Sequence, residues 1–143
     1  MTALTKAQDR PQKVSGIDQT TSVPMYTQKI WAGALVMVDS SGYGRNALAG
    51  ASNKGVAGVA IETVDNSGGS SGDKSIKVRS GRFLMTGTGF TQASVGSHIY
   101  ASDNDTVSTT QGTNEPLVGT VEAYVSSTTV WAQIGPTALI AAG

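Results

Sequence analysis

The chain has 143 residues, the size of one domain, enough to bury about two-thirds of its extended surface on folding. It contains no cysteine, which excludes a disulfide framework, thiolate chemistry and a cysteine-ligated metal site. Its formal net charge is zero, which argues against a dedicated nucleic-acid binder, where a basic footprint is expected. Charged residues make up only 14% of the chain and glycines number 18, with few strong helix-forming runs. That composition favours an all-β domain with many tight turns over a helical bundle. The charge is unevenly placed. Residues 1–82 hold all ten bases and six acids, whereas residues 83–143 hold Asp103, Asp105, Glu115 and Glu122 and no base. Two readings remain open: chance placement on a solvated surface, or a bipolar subunit whose ends complement neighbours in an assembly. The N-terminus lacks the apolar core of a signal peptide, and no apolar run approaches the roughly 18 residues that span a membrane. The expectation is cytoplasmic synthesis and no membrane partner.

Residues 1–22 are polar, with Pro11, Gly16 and isolated apolar side chains at Leu4, Val14 and Ile17. They cannot bury enough surface to fold alone, so they read as a tail or as an extended arm that orders on a neighbour. Residues 23–143 form the single β-domain. Its first extended segment runs from Val23 to Ile30, with Pro24 placing it at a strand start or a sheet edge. Ala34-Leu35-Val36-Met37-Val38 is a compact apolar strand closed by the turn Asp39-Ser40-Ser41-Gly42. A weaker strand or loop over residues 45–50 leads into the stretch around which the chain is organised, residues 55–85. This reads as strand, glycine-rich crossing, strand. Val56, Ala60, Ile61 and Val64 make the first arm apolar. In the second, Ile76 and Val78 point one way and Lys77 and Arg79 the other, the period of a half-buried strand. The crossing, residues 65–73, has no apolar residue and must lie where water satisfies its backbone.

Thr86-Gly87-Thr88-Gly89 reads as a turn cluster. Residues 91–95 read as one helical turn with Thr91 as N-cap and Gly96 as C′. His98-Ile99-Tyr100-Ala101 is a short strand, followed by a polar turn at Asp103-Asn104-Asp105 and another short strand near Val107. Residues 117–125 and 128–134 form a closing hairpin around Ser126-Ser127. In its second arm Val130, Ala132 and Ile134 share one face, and Trp131 and Gln133 the other. Strands this short at this spacing predict a small β-barrel or β-sandwich.

None of these residues forms a catalytic constellation. A phosphate loop needs Gly-Lys followed by Ser or Thr at a helix start, but Asp73 separates Gly72 from Lys74 and a strand follows. Gly42-Tyr43-Gly44-Arg45-Asn46-Ala47 matches a dinucleotide fingerprint literally, yet no helix follows to hold a pyrophosphate. Asp103-Asn104-Asp105 and the pair Asp65/Asp73 offer hard oxygen ligands without the full calcium-loop spacing, and ordinary turn chemistry explains both. His98 is the only histidine, so a multi-histidine metal site is excluded. Its place before an apolar strand suits a structural role better than a catalytic base. Trp31, Trp131, Tyr100 and Tyr124 could stack on sugars or bases, although aromatics singly spaced in strands are more often core or interface anchors. No cofactor or metal is expected.

One ordered series stands out. Ile30-Trp31-Ala32-Gly33-Ala34-Leu35-Val36 precedes the turn Gly42-Tyr43 and then Gly55-Val56-Ala57-Gly58-Val59-Ala60. Val64-Asp65-Asn66-Ser67-Gly68-Gly69 follows, with Gly72-Asp73, Ile76-Lys77-Val78-Arg79, Gly81 and finally Thr91-Gln92-Ala93-Ser94-Val95-Gly96. This order resembles the small capsid decoration, or cement, proteins of tailed bacteriophages from about Val23 to Ile134. The resemblance implies a non-enzymatic virion protein, made in the host bacterial cytoplasm. It would bind the outer capsid surface, often as a trimer, and tie major capsid protein subunits together. Capsid or subunit contacts are then expected from Lys6, Arg10, Lys13, Val14 and Ile17 of the arm and from Lys74, Lys77, Arg79 and Arg82. The competing expectation is an adhesin-like or glycan-binding virion module using Trp31 or Trp131.

Overall fold

The computed structural model describes residues 19–135. Period-two patterning and glycine punctuation yield eleven strands: β1 (Gln19–Pro24), β2 (Lys29–Ile30), β3 (Leu35–Asp39), β4 (Gly44–Asn46), β5 (Asn53–Ala60), β6 (Val64–Asp65), β7 (Ser75–Gly87), β8 (His98–Ala101), β9 (Thr106–Ser108), β10 (Leu117–Ser126) and β11 (Thr129–Ile134). The helical turn expected after Thr91 is a 3₁₀ turn over Gln92–Ser94. The Thr91 N–H donates to Ser94 Oγ at 3.0 Å, and Gly96 takes the positive φ, +90°, that ends such a turn.

Five strands close into a small barrel in the ring β7-β11-β10-β8-β9. Four of its seams are antiparallel, and the fifth is a short parallel pairing of Thr86 with Thr106 and Gly87 with Val107. Two glycines permit the closure. A Cβ on Gly87 would run into the carbonyl oxygen of Val107, and one on Gly119 into that of Gln133. Gly87 therefore belongs to a strand rather than to the turn cluster expected there. The neighbouring backbone comes too close for any side chain.

A second layer has the order β4-β3-β5-β7-β1 and curls until Met25, just past β1, bridges Gly44 of β4. Each layer encloses its own core. Leu35, Met37, Val56 and Val59 pack with Met85, Phe90, Ile99, Val107, Val121, Val130 and Ile134 in the barrel. Val23, Met25, Ile30, Val36, Ala60, Ile76 and Val78 form the other core. β3 thus feeds Leu35 and Met37 into one core and Val36 into the other. That is why it reads as an unbroken apolar run rather than an alternation.

β7 serves both layers. Its first half pairs with β1 and β5, its second half with β11 and β9. The change of partners falls at Gly81, whose φ is +146°, a conformation that side-chain-bearing residues rarely adopt. Ser80 and Gly81 are buried in succession, so the alternation slips by one residue. Lys77 and Arg79 before them, and Arg82 and Leu84 after them, all face solvent. β1 begins at Gln19, inside the stretch that composition assigns to the arm. Edge pairing with β7 uses backbone groups, which polar residues supply as well as apolar ones.

Gly119→Ala should force β10 and β11 apart and cost about 1–3 kcal/mol of stability. Gly68→Ala, on the crossing with open space around it, should change stability by less than about 0.5 kcal/mol. Urea denaturation of the two variants checks both expectations, and equal midpoints would mean that the seam tolerates a side chain.

Candidate functional site

The outward face of β7 carries the candidate contacts. Ile76 and Val78 are 0% and 1% exposed in the second core, while Lys77 and Arg79 project into solvent on the opposite face. β1 sets Ser22 opposite Lys77 and Thr20 opposite Arg79, so the cations have exposed hydroxyl residues beside them and no acid. On the other edge Val59 pairs with Arg79, and the Ile61 N–H donates to the Lys77 carbonyl at 3.0 Å. Neither Lys77 nor Arg79 has an ion-pair partner among the described residues.

Lys74 and Arg82 differ from them. Lys74 Nζ donates to the Asp65 carbonyl oxygen at 2.8 Å and sits over the crossing. Arg82 Nε lies 2.6 Å from Glu122 Oε2, contributed by β10. The four cations between Lys74 and Arg82 therefore reduce to two unpaired ones, and Glu122 is a neighbour that no local reading supplies. Lys6, Arg10, Lys13, Val14 and Ile17 lie outside the described residues.

The crossing is organised by Asn66, 1% exposed. Its Nδ2 donates to the carbonyls of Met25, Tyr26 and Ser70 at 3.4, 3.3 and 3.0 Å. This ties residues 65–74 to the segment after β1, alongside the short β2–β6 ribbon. A Cβ on Gly69 would lie 2.6 Å from Asn66 Oδ1, so the glycine is fixed by this amide. Asp65 Oδ1 accepts from the N–H and hydroxyl of Ser67, and Asp73 Oδ2 from the Ser70 N–H. Asp103 Oδ1 likewise accepts from the N–H groups of Asp105 and Thr106. These carboxylates build turns. The clefts around them are shallow and polar, one of about 500 Å³ over Asn66, Gly69 and Asp73. They lack the apolar walls of a small-molecule pocket. His98 is exposed at the start of β8 rather than set into a core.

Both tryptophans are surface residues. Trp31 is 58% exposed, with Lys29 Nζ 3.9 Å from its ring centroid. Trp131 is 40% exposed on the barrel wall and stands opposite Leu84, itself 52% exposed. Leu84 was not singled out in the sequence. The signal was its phase, one residue from buried Met85 and in step with Arg82.

A closed five-stranded barrel sharing its longest strand with a second sheet, and carrying a two-cation face, defines the class of protein by fold. No protein-family model matches the chain, and no curated protein matches it in sequence. In fold it is similar to a chain from the solved capsid of Myoviridae phage XM1, with a TM-score of 0.50. That likeness covers 93% of this chain and 94% of that one at 17% identity, and at this identity it is a likeness of fold.

Asn66→Ala would remove the amide that bridges the Met25, Tyr26 and Ser70 carbonyls, each of which keeps a backbone N–H donor, and should lower stability by about 0.5–1.5 kcal/mol. Proteolysis should then concentrate in residues 65–74; an unchanged melting temperature would mean that the crossing is held by its ribbon alone. The Ser67 hydroxyl and then its N–H, helped by Lys29 and Lys74, hold the Asp65 carboxyl below its ordinary range. A folded-state pKa that is lowered contributes stability present above the unfolded value and lost as pH falls through the folded one. The loop should therefore keep its order through the usual Asp titration near pH ~3.9 and loosen only in stronger acid. Hydrogen exchange at the Ser67 amide across that range tests this.

Proposed function

We propose that this chain is a capsid decoration protein of a tailed bacteriophage. It docks on the outer surface of the head as a homotrimer and ties neighbouring major capsid protein subunits together, with no enzymatic activity of its own. It is made in the host bacterial cytoplasm and carried on the virion. The observation that carries this reading is the fold held in common, over nearly the full length of both chains, with a component of a solved phage capsid. The surface is compatible with it. Two cations with no ion-pair partner among the described residues project from a strand anchored in one core and continuous with the other, a rigid mount for contact with an acidic partner. Such rim charges contribute more to register and association rate than to affinity. Repetition over a shell turns a modest contact into a strong one.

A second reading rests on Trp31, whose exposed ring lines a shallow cleft with Asn104 and Asp105. An aromatic beside amide and carboxylate groups suits a glycan. Trp31→Ala should leave capsid decoration intact, and loss of binding on a glycan array in that variant would favour this alternative.

Lys77→Glu together with Arg79→Glu should leave the fold intact and slow or abolish decoration of purified capsids. The wild-type interaction should weaken as salt rises, because the Debye length falls below about 8 Å. Decoration at the wild-type rate in low salt would place the binding surface elsewhere. A chain beginning at Gln19, which keeps β1 whole, should melt with the full chain but bind capsids less well. Electron micrographs of capsids with and without each protein provide the readout. If neither the wild type nor any variant ever binds capsids, the virion reading itself falls.

A further inference from the structure

The crossing between β6 and β7 holds one buried polar atom that the fold leaves without a partner. Asn66 is 1% exposed and its Nδ2 donates to three carbonyls, yet its Oδ1 accepts no hydrogen bond. Those three bonds fix which way the amide points, because turning it over would set Oδ1 against the carbonyls. A buried acceptor left empty is costly and rare in folded proteins.

Oδ1 faces the hollow beside Gly69. The position a Cβ would take there is 2.6 Å from Asn66 Oδ1 and 3.0 Å from Asp73 Oδ2. The two oxygens thus converge on one side of the glycine, in the cleft of about 500 Å³ that Asp65, Ser67 and Lys74 also line. Turn formation uses a single oxygen of each carboxylate. Asp65 Oδ1 receives the Ser67 N–H and hydroxyl, and Asp73 Oδ2 the Ser70 N–H, while Asp65 Oδ2 and Asp73 Oδ1 receive nothing from the described residues. The backbone carbonyls of Ser67 and Gly68 likewise accept no hydrogen bond from them. One cleft therefore gathers two carboxylates, a buried amide oxygen and spare carbonyls, with no imidazole or thiol. Hard oxygens on a glycine-rich loop open to water suit calcium, which takes about six to eight oxygens in flexible geometry. Magnesium demands a near-ideal octahedron, and transition metals favour imidazole or thiolate.

We propose that the crossing binds a calcium ion between the carboxylates of Asp65 and Asp73, with Asn66 Oδ1 as the amide ligand and water in the remaining positions. The site does not depend on the virion reading. Its affinity is modest for two reasons. No group of three acids or histidines that could hold a metal occurs among the described residues, so the ligand charge is low. Lys74 Nζ, 2.8 Å from the Asp65 carbonyl oxygen, also opposes a second cation. A dissociation constant of about 0.1–1 mM is expected, the range of weakly charged calcium sites.

The test follows hydrogen exchange of the full chain at constant ionic strength, in EDTA, in calcium or in magnesium at about 10 mM. An ion that must leave before the loop opens protects it in proportion to the ion concentration over the dissociation constant. The amides of residues 66–73 should therefore slow at least about ten-fold in calcium. Asp73→Asn keeps an oxygen for the Ser70 N–H but loses the charge, and should abolish the effect. Asp103→Asn alters a turn carboxylate in another loop and should retain it. Both variants should keep the wild-type far-UV circular dichroism. Unslowed exchange in the wild type would overturn the proposal, as would slowing that survives in Asp73→Asn or is lost in Asp103→Asn. An equal effect of magnesium would overturn it as well, since the carboxylates would then be screened rather than bridged.

Discussion

The fold depends on the turn that β7 makes at Gly81. A 13-residue strand can belong to two differently oriented sheets only if its backbone changes direction without breaking. Here a φ of +146° at one residue does this. The slip in alternation at Ser80 and Gly81 keeps the polar side of the strand outward in both layers. β3 is the second shared strand, with adjacent side chains committed to opposite cores. Neither core can be lost without exposing apolar surface that belongs to an element of the other, so the two layers should unfold together.

Features set by neighbours in sequence were legible, and features set by distant neighbours were not. Lys77 and Arg79 face outward as their alternation with Ile76 and Val78 requires. The β10–β11 hairpin and the 3₁₀ turn between Thr91 and Gly96 sit where local signals put them. Barrel and sandwich were indistinguishable because both require the same period-two strands. What decides between them is a two-residue parallel seam, Thr86-Gly87 against Thr106-Val107, and its sequence looks like turn. Gly87 carries the same ambiguity in one residue. A glycine marks a turn or a close approach, and only the position of the Val107 carbonyl tells which. The ion pair of Arg82 with Glu122 joins residues far apart in sequence, so a count of cations along β7 overstated the positive face.

The uneven charge along the chain acquires a more specific meaning on the structure. Of the acids after residue 82, Glu122 is paired with Arg82, Asp103 accepts turn N–H groups, and Glu115 accepts from the Gly112 N–H at 2.7 Å. Among the bases, Arg45 stacks over Tyr26 and lies 3.9 Å from Asp39, while Lys29 covers one face of Trp31. The balance of charge is thus largely settled inside the subunit by turns, ring contacts and one surface pair. Lys54, Lys77 and Arg79 are left over among the described bases, and of these Lys77 and Arg79 stand together on one strand.

Two exposed cations on one strand contribute little in isolation. Exposed pairs typically provide about 0–1 kcal/mol, and salt screens them. Their value depends on being held still and on being repeated. The first condition is met by Ile76 and Val78, whose burial on the other face fixes the backbone that carries the charges. The second is a matter of assembly: a contact too weak to hold one subunit gains strength when copies joined to one another dock together, because each bound copy raises the local concentration of the next. A rigid, charge-selective face of modest strength therefore gains more from a partner surface that repeats than from a single one.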